Sequence, residues 1–501
     1  MASNSKFVSD KKFADIQGLP KCAIDALKTD FGYTSMSAAQ AMYLQAVVNG
    51  QDMLVRAGTG SGKTLGFLLP LITALMLDRN SGNKKQHQVA VILSPARELA
   101  EQTYAQARTL ANRCGLRVQM LVGGVRSSKA DVNAMERDGY DILVATPGRL
   151  MDHLETTKGF REMLKSEGRV LVLDEVDRLL DPGFKPAMLK TAEVMSHPAR
   201  QTLLFTATAT TAIREASKKL MRTDDAFIDA GASNAAGNAG AAHNTNVSQE
   251  AVLLPPDLLL PRMVLELKRE TKGHSVIFVQ TAMMAMLLTQ VLRKALAGGK
   301  PVFEIHSRMD QKQRSRAVRE FTESASPAVI VATDVFARGI DVKGVTLVLQ
   351  MGIAPDNAQV AHRAGRTGRG GAKGRSLIIL ADNESAVLKD LIDREKMPIT
   401  LLDTSKGTDT DLAEAVKTVN AALAGLSNDA NFKRTSCRAF IASIGFYKSQ
   451  VKRLGWRAPD LVPAVARLFQ PLGVPAPSAC PVPAKTVKKM GLAPGHGLTL
   501  V

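Results

Sequence analysis

The chain has 501 residues, 45% of them hydrophobic and 22% charged, and its 65 lysines and arginines against 47 acids leave a formal net charge of +18. That is more chain than one hydrophobic core serves, so a single small module is excluded, and the lack of any apolar run of about eighteen residues excludes helical spans through a membrane. The basic balance favours polyanionic partners, nucleic acid or an anionic surface. Four scattered cysteines, Cys22, Cys114, Cys437 and Cys480, contain no CxxC pair. They predict neither a zinc site nor a disulfide framework, and they suit a reducing compartment. The first residues carry no apolar stretch for secretion and no long Arg-rich stretch for import, so a soluble intracellular protein of organelle, nucleus or cytoplasm is expected.

In chain order, short apolar runs at 53–56, 89–93, 118–122, 142–145, 170–173 and 202–205 alternate with helical stretches. The rhythm is that of a parallel α/β sheet. After the first run comes Ala57-Gly58-Thr59-Gly60-Ser61-Gly62-Lys63-Thr64, placed between a strand and a helix. Glycines there let backbone N–H groups converge on phosphates, Lys63 reaches the β and γ groups, and Thr64 suits Mg²⁺. The run at 170–173 leads into Asp174-Glu175-Val176-Asp177, which puts adjacent carboxylates at the carboxyl end of a strand. Asp174 is placed to hold Mg²⁺ and Glu175 to orient or deprotonate an attacking water.

Residues 231–246 are almost entirely Gly, Ala, Asn and Ser, a composition that reads as a tether. A second alternating series follows at 276–279, 303–306, 329–332, 346–350 and 376–380. Within it, His362-Arg363-Ala364-Gly365-Arg366-Thr367-Gly368-Arg369 gathers three arginines in one turn, where guanidinium groups suit charge developing on a γ-phosphate. Beyond about residue 400 the strand rhythm stops. Asp411 with Glu414 reads as a capping box, Cys437, Phe440, Ile441 and Ile444 keep helical spacing, and Asp460 is the expected cap of a further helix. Residues 430–501 hold eleven lysines and arginines against the single acid Asp460. Phe440, Phe446 and Trp456 in that tail could all be core. The expected domains are 1–230, a linker at 231–250, 251–400 and a basic helical extension at 401–501.

These residues, in this order, resemble the DEAD-box RNA helicases of superfamily 2 over roughly 13–382. Phe13 and Gly32-Tyr33 through Gln40 look like the adenine-reading element, with Ser37-Ala38 for the usual Thr-Pro. Pro95-Ala96-Arg97, Gly123-Gly124 and Thr146-Pro147-Gly148-Arg149 resemble the family's RNA-binding elements, and Thr206-Ala207-Thr208 the element that couples hydrolysis to domain movement. In the second series, 277–281, His306 with Gln311 and Arg314, Thr333 through Asp341, and the arginine turn match in order. The tail is similar to the extension of the branch that includes organellar intron-splicing helicases.

The resemblance implies two RecA-like domains, ATP and Mg²⁺ as cofactors, and a monomer acting on single-stranded or short duplex RNA without a membrane. Lys63, Asp174, Glu175, Arg366 and Arg369 would carry catalysis. Phe13, Gln40, residues 57–64, Asp341, His362 and Arg363 would bind the nucleotide. Pro95, Arg97, Gly123, Gly124, Thr146, Pro147, Arg149 and Thr333 would line the RNA. Two other readings stay open at this point, an ATP-dependent RNA clamp with little unwinding and a DNA-directed ATPase.

Overall fold

Strands that are apolar at every position need cover on both faces, and a computed structural model of the chain supplies it with two all-parallel sheets, helices lying between successive strands. It describes residues 8–58, 60–80, 87–124, 126–208, 210–222, 226–230, 246–336, 342, 344–369, 372–403 and 410–482. The chain divides into two units, one up to residue 243 and the other beyond it.

The first unit opens with an antiparallel pair, β1 (Val8–Lys12) and β2 (Ser35–Ser37). Its main sheet has seven strands: β3 (Met53–Arg56), β4 (Val89–Leu93), β5 (Val118–Leu121), β6 (Ile142–Ala145), β7 (Gly168–Leu173), β8 (Gln201–Thr206) and β9 (Phe227–Asp229). Their spatial order is β5-β6-β4-β7-β8-β3-β9. Alternate residues along each strand feed different cores: Val55, Ile92, Val172 and Phe205 enter one cluster, Leu54, Val91, Leu171 and Leu204 the other.

The second unit repeats the plan with β10 (Val247–Leu254), β11 (His274–Phe278), β12 (Val302–Ile305), β13 (Val329–Ala332), β14 (Val345–Met351), β15 (Gly374–Ala381) and β16 (Ile399–Leu401), in the order β12-β13-β11-β14-β15-β10-β16. The tether drawn at 231–246 falls outside the described residues up to 245. Strand β10 begins inside the 231–250 boundary, and Gly374 N–H donates to the Asn246 carbonyl at 2.9 Å. The Gly/Ala/Asn run beside it masked an eight-residue strand.

The tail joins the second unit's core. Helix Thr410–Ala424 packs on Pro256–Arg269 and helix Ala430–Leu454 on Ala282–Ala295. Phe432, Phe440 and Ile444 are buried there, with Phe446 and Trp456 packed against them, so the aromatic residues of the tail serve the core. Tyr447 OH donates to Glu384 at 2.6 Å and Trp456 Nε1 to the Asn383 carbonyl at 3.0 Å.

Two local expectations are corrected. Helix Thr410–Ala424 is under way before Asp411, which therefore lies in its first turn. Asp460 stands at the expected cap position, but its carboxylate is taken by Arg457 at 2.7 Å. The cysteine expectation fails too: Cys22 pairs with Cys114 and Cys437 with Cys480, in disulfides separated by 92 and 43 residues of chain. Helix packing brought together partners that spacing could not show. Among the described residues, no helix is long and apolar enough to cross a membrane.

Candidate functional site

In the first unit the expected residues gather along the carboxyl edge of the sheet, where open parallel sheets bind ligands, and strand order sorts them. Ala57, Asp174 and Thr206 sit at the ends of the adjacent strands β3, β7 and β8. Pro95, Gly123 and Thr146 follow β4, β5 and β6 on the other half of the edge. The residues expected at a nucleotide and those expected at nucleic acid thus lie on adjoining halves of one edge, meeting where β4 pairs with β7.

Glycine conformation shapes the phosphate loop. Gly60 and Gly62 adopt φ of +76° and +84°, and a Cβ on Gly62 would stand 2.7 Å from the Gln40 amide nitrogen. That nitrogen donates to the Gly62 carbonyl at 2.9 Å, while Ser37 Oγ donates to the Ser61 carbonyl at 2.7 Å. Gln40 Oε1 accepts from Ser37 N–H, so the element expected to read adenine and the loop are one bonded unit. Ser37 thereby keeps the hydroxyl chemistry of the threonine it replaces. Lys63, first residue of helix Lys63–Asn80, donates to the Ala57 carbonyl at 2.8 Å. Phe13 is 2% exposed, its ring in the core and its N–H on the Thr34 carbonyl, so it anchors the element and shows no open face. Thr59 lies outside the described residues.

Asp174 is buried, and burial with the adjacent Glu175 charge pushes its carboxyl up to about 7, against the pull of Lys63. Glu175 sits at φ 51°, ψ 56°, a left-handed conformation uncommon for residues with a side chain and associated with functional sites. Its Oε2 is buried without a hydrogen-bond partner. Asp174, the orphaned Glu175 oxygen and the Thr64 hydroxyl are hard oxygen donors beside a phosphate loop, a set that fits Mg²⁺. Thr208 links the nearby Asp177 to β8: its Oγ1 donates to Asp177 at 3.3 Å, and its N–H to Thr206 Oγ1 at 3.2 Å.

Among the residues expected at nucleic acid, Arg97 lies against the Gly123-Gly124 turn. Gly124 has φ +80°, and a Cβ there would meet the Arg97 guanidinium at 2.3 Å. Thr146 precedes Pro147, first residue of helix Pro147–Thr156. Arg149 does not project into solvent: its side chain is 9% exposed and donates to Asp131 and to the Arg126 carbonyl, each at 2.7 Å.

In the second unit, Thr333 closes β13 with its Oγ1 buried and without a hydrogen-bond partner, and His306 follows the neighbouring β12. The arginine turn ends helix Asn357–Ala364. Arg363, expected at the nucleotide, is fully buried and bonded to Asp334 through both Nε and Nη2, at 2.6 and 3.1 Å, so it braces the turn. His362 is 2% exposed and Arg366 4%, Arg366 Nε donating to the His362 carbonyl. Arg369 Nε donates to the Gly365 carbonyl at 3.0 Å. Asp341 lies outside the described residues. Sequence reasoning gave Asp131, Asp177 and Asp334 no role, since each is defined by a distant partner.

A strand-loop-helix phosphate cradle after β3, with carboxylates that follow β7 on the same sheet edge, and a second sheet of the same build together define a tandem RecA-like nucleotide hydrolase. Residues 37–216 match the DEAD/DEAH box helicase model and 258–371 the helicase conserved C-terminal domain. DEAD-box ATP-dependent RNA helicase 25 of Oryza sativa subsp. japonica is 34% identical, over 99% of this chain and 80% of its own. DEAD-box ATP-dependent RNA helicase 26 of the same organism is also 34% identical, over 96% and 84%. A structure of Mss116p bound to ssRNA and AMP-PNP superposes with a TM-score of 0.82 at 25% identity, covering all of this chain and 98% of that one. The chain belongs to the DEAD-box helicase family.

Proposed function

We propose how these residues divide the work of an ATP-dependent RNA helicase, the enzyme that family membership makes this chain. The phosphate loop and Lys63 hold the triphosphate, with Gln40 and Ser37 tying loop geometry to the occupant of the base pocket. Thr64 and Asp174 would hold Mg²⁺, which when bound neutralises phosphate charge. Glu175 orients the attacking water, and Arg366 with Arg369 supplies guanidinium charge from the second unit. RNA runs along Arg97, Gly124, Thr146 and Thr333 through its sugar-phosphate backbone, which gives weak sequence preference. In the extension, Arg434, Arg438, Lys448 and Lys452 are exposed and share one face of helix Ala430–Leu454 at helical spacing, which supports a further anchor for phosphates.

The observation that carries this reading is the bonded chain on one sheet edge, from Gln40 through the phosphate loop and from Asp177 to Thr208. The test is ATPase stimulation by poly-RNA against single-stranded DNA, with Lys63→Ala and Glu175→Gln as controls. Loss of the lysine charge or of the positioned water is expected to lower turnover by about 10² or more. Equal stimulation by DNA, or normal turnover in both variants, contradicts the reading. ATP-dependent retention of RNA without duplex release would mark a clamp.

A further inference from the structure

We infer that Tyr43 is a positioning residue for base selection: seated in a notch that Gly66 leaves on the phosphate-loop helix, it holds Gln40 in register with the loop and so sets the preference for an adenine nucleotide. The inference rests on the proposed role of Gln40 at the base. Helix Gln40–Val48 packs on helix Lys63–Asn80 through two rungs. In the first, Gln40 Nε2 donates to the Gly62 carbonyl at 2.9 Å, the same carbonyl that takes the Gly66 N–H at 3.0 Å. In the second, a turn further along each element, Tyr43 lies over Gly66. Positions three and four apart share one face of a helix, so the two rungs stand side by side.

Gly66 is a glycine for the sake of this neighbour. It lies inside a helix, where glycine costs stability relative to alanine, and it is not among the glycines of positive φ, so its backbone does not require one. A Cβ there would overlap the Tyr43 hydroxyl and stand 2.9 Å from the ring carbon that carries it. Tyr43 has no room to retreat. It is 1% exposed, and its ring lies edge-on against Phe205, centroids 5.8 Å apart, on the strand that ends at Thr206. The hydroxyl is buried without a hydrogen-bond partner, a cost that phenylalanine would avoid. What tyrosine adds over phenylalanine is the atom that fills the notch, and close packing of this kind sets the spacing of two helices. Gln40, three residues earlier, is bonded through both ends of its amide, Oε1 to the Ser37 N–H at 2.9 Å and Nε2 to Gly62. A shift of its helix therefore moves that whole bonded unit.

Wild type, Gly66→Ala, Tyr43→Leu and the double variant of the whole chain are compared for kcat and KM with ATP and with GTP at saturating RNA, and for thermal unfolding. Positioning predicts that Gly66→Ala raises KM for ATP roughly tenfold and narrows the ATP-over-GTP preference in kcat/KM, with kcat for ATP near that of the wild type. Tyr43→Leu empties the notch and should move the same two quantities in the same direction. In the double variant the alanine methyl no longer meets the ring, so alanine adds no further loss and part of the preference returns. A purely structural contact predicts that thermal midpoints fall while KM and the ATP-to-GTP ratio stay as in the wild type, or that the losses from the two substitutions add. Either result overturns the inference, as does a Gly66→Ala protein more stable than wild type, the outcome that helix propensity alone would give. Should Gly66→Ala not fold, Tyr43→Leu still decides it, since an unchanged KM for ATP and an unchanged preference refute the positioning role. Gln40→Ala separates the two levels: if it keeps the ATP preference, the role of Gln40 at the base falls and the inference with it, and if it alone loses the preference, only the notch is refuted.

Discussion

Asp174 works in a place that costs the ligand-free protein stability. Its carboxyl is pushed up to about 7 by burial and by Glu175, so above that pH the folded state holds a buried anion that the unfolded chain keeps in water. The penalty is present above pH 7, shrinks as pH falls through the folded value, and vanishes below about 4, where the acid is protonated in both states. Asp174→Asn is therefore expected to be more stable than wild type by about 1–3 kcal/mol at pH 8 without nucleotide or divalent cation, and no more stable at pH 4. Urea unfolding at the two pH values checks this, and a variant no more stable than wild type at pH 8 refutes it. Tyr447 presents the opposite case. Its hydroxyl serves the buried Glu384 at 2.6 Å, and burial raises the affinity of that carboxyl for its proton. Tyr447→Phe removes the donor and keeps the ring, so the second unit should lose roughly 1–3 kcal/mol in denaturant unfolding, as when a buried acceptor loses its partner. Unchanged stability would show that the bond contributes nothing.

Among elements, the helices of the tail behave as part of a RecA-like domain. Arg453 illustrates the point, because it lies in the basic stretch yet donates to the Ala354 carbonyl and to Asn357, and burial lowers its proton affinity. It braces the second unit, while Arg434, Arg438 and Lys452 of the same helix are exposed. Disulfides act at the same scale. Cys22 joins helix Lys21–Thr29 to Cys114 at the end of helix Arg97–Arg113, a junction reinforced by Arg113 on Asp30 at 2.8 and 2.9 Å. The 92-residue separation includes the phosphate loop, and on a chain-entropy view such a closure is worth about 4–5 kcal/mol. Reductant is expected to lower the thermal midpoint of the first unit by roughly 10 °C, and Cys22→Ser should remove that sensitivity. Scanning calorimetry with and without dithiothreitol measures it; equal midpoints would mean the link does not stabilise the unit.

At the scale of the whole molecule there are two units with separate cores, and the residues proposed for catalysis come from both. Lys63, Asp174 and Glu175 belong to the first, the arginine turn to the second. Ligands that touch both select a common arrangement only through differential contacts. RNA together with a non-hydrolysable ATP analogue is therefore expected to reduce the radius of gyration, with either ligand alone having less effect and Arg366→Ala weakening the response. An unchanged scattering curve with both ligands would remove this coupling from the mechanism.

Features carried by neighbouring residues were legible before any coordinates. The apolar runs, the glycine spacing from 57 to 64, the carboxylates after 170–173 and the arginine turn each follow from backbone and side-chain chemistry within a few positions, so family, two-sheet plan and candidate catalytic residues came from sequence. Strand β10 and the Asp460 cap show the limit even locally, since a neighbouring low-complexity run hid one and a competing Arg457 overrode the other. Partnerships across tens of residues needed the fold. Asp131 with Arg149, Asp334 with Arg363, Glu384 with Tyr447 and both disulfides depend on which helices pack together, and no periodicity encodes that. Strand order is of the same kind: β4 pairs with β7 although two strands intervene in the chain. Only that crossover sets the residues proposed for the nucleotide beside those proposed for RNA, because ligand sites on a parallel sheet are assembled by lateral order and not by sequence order.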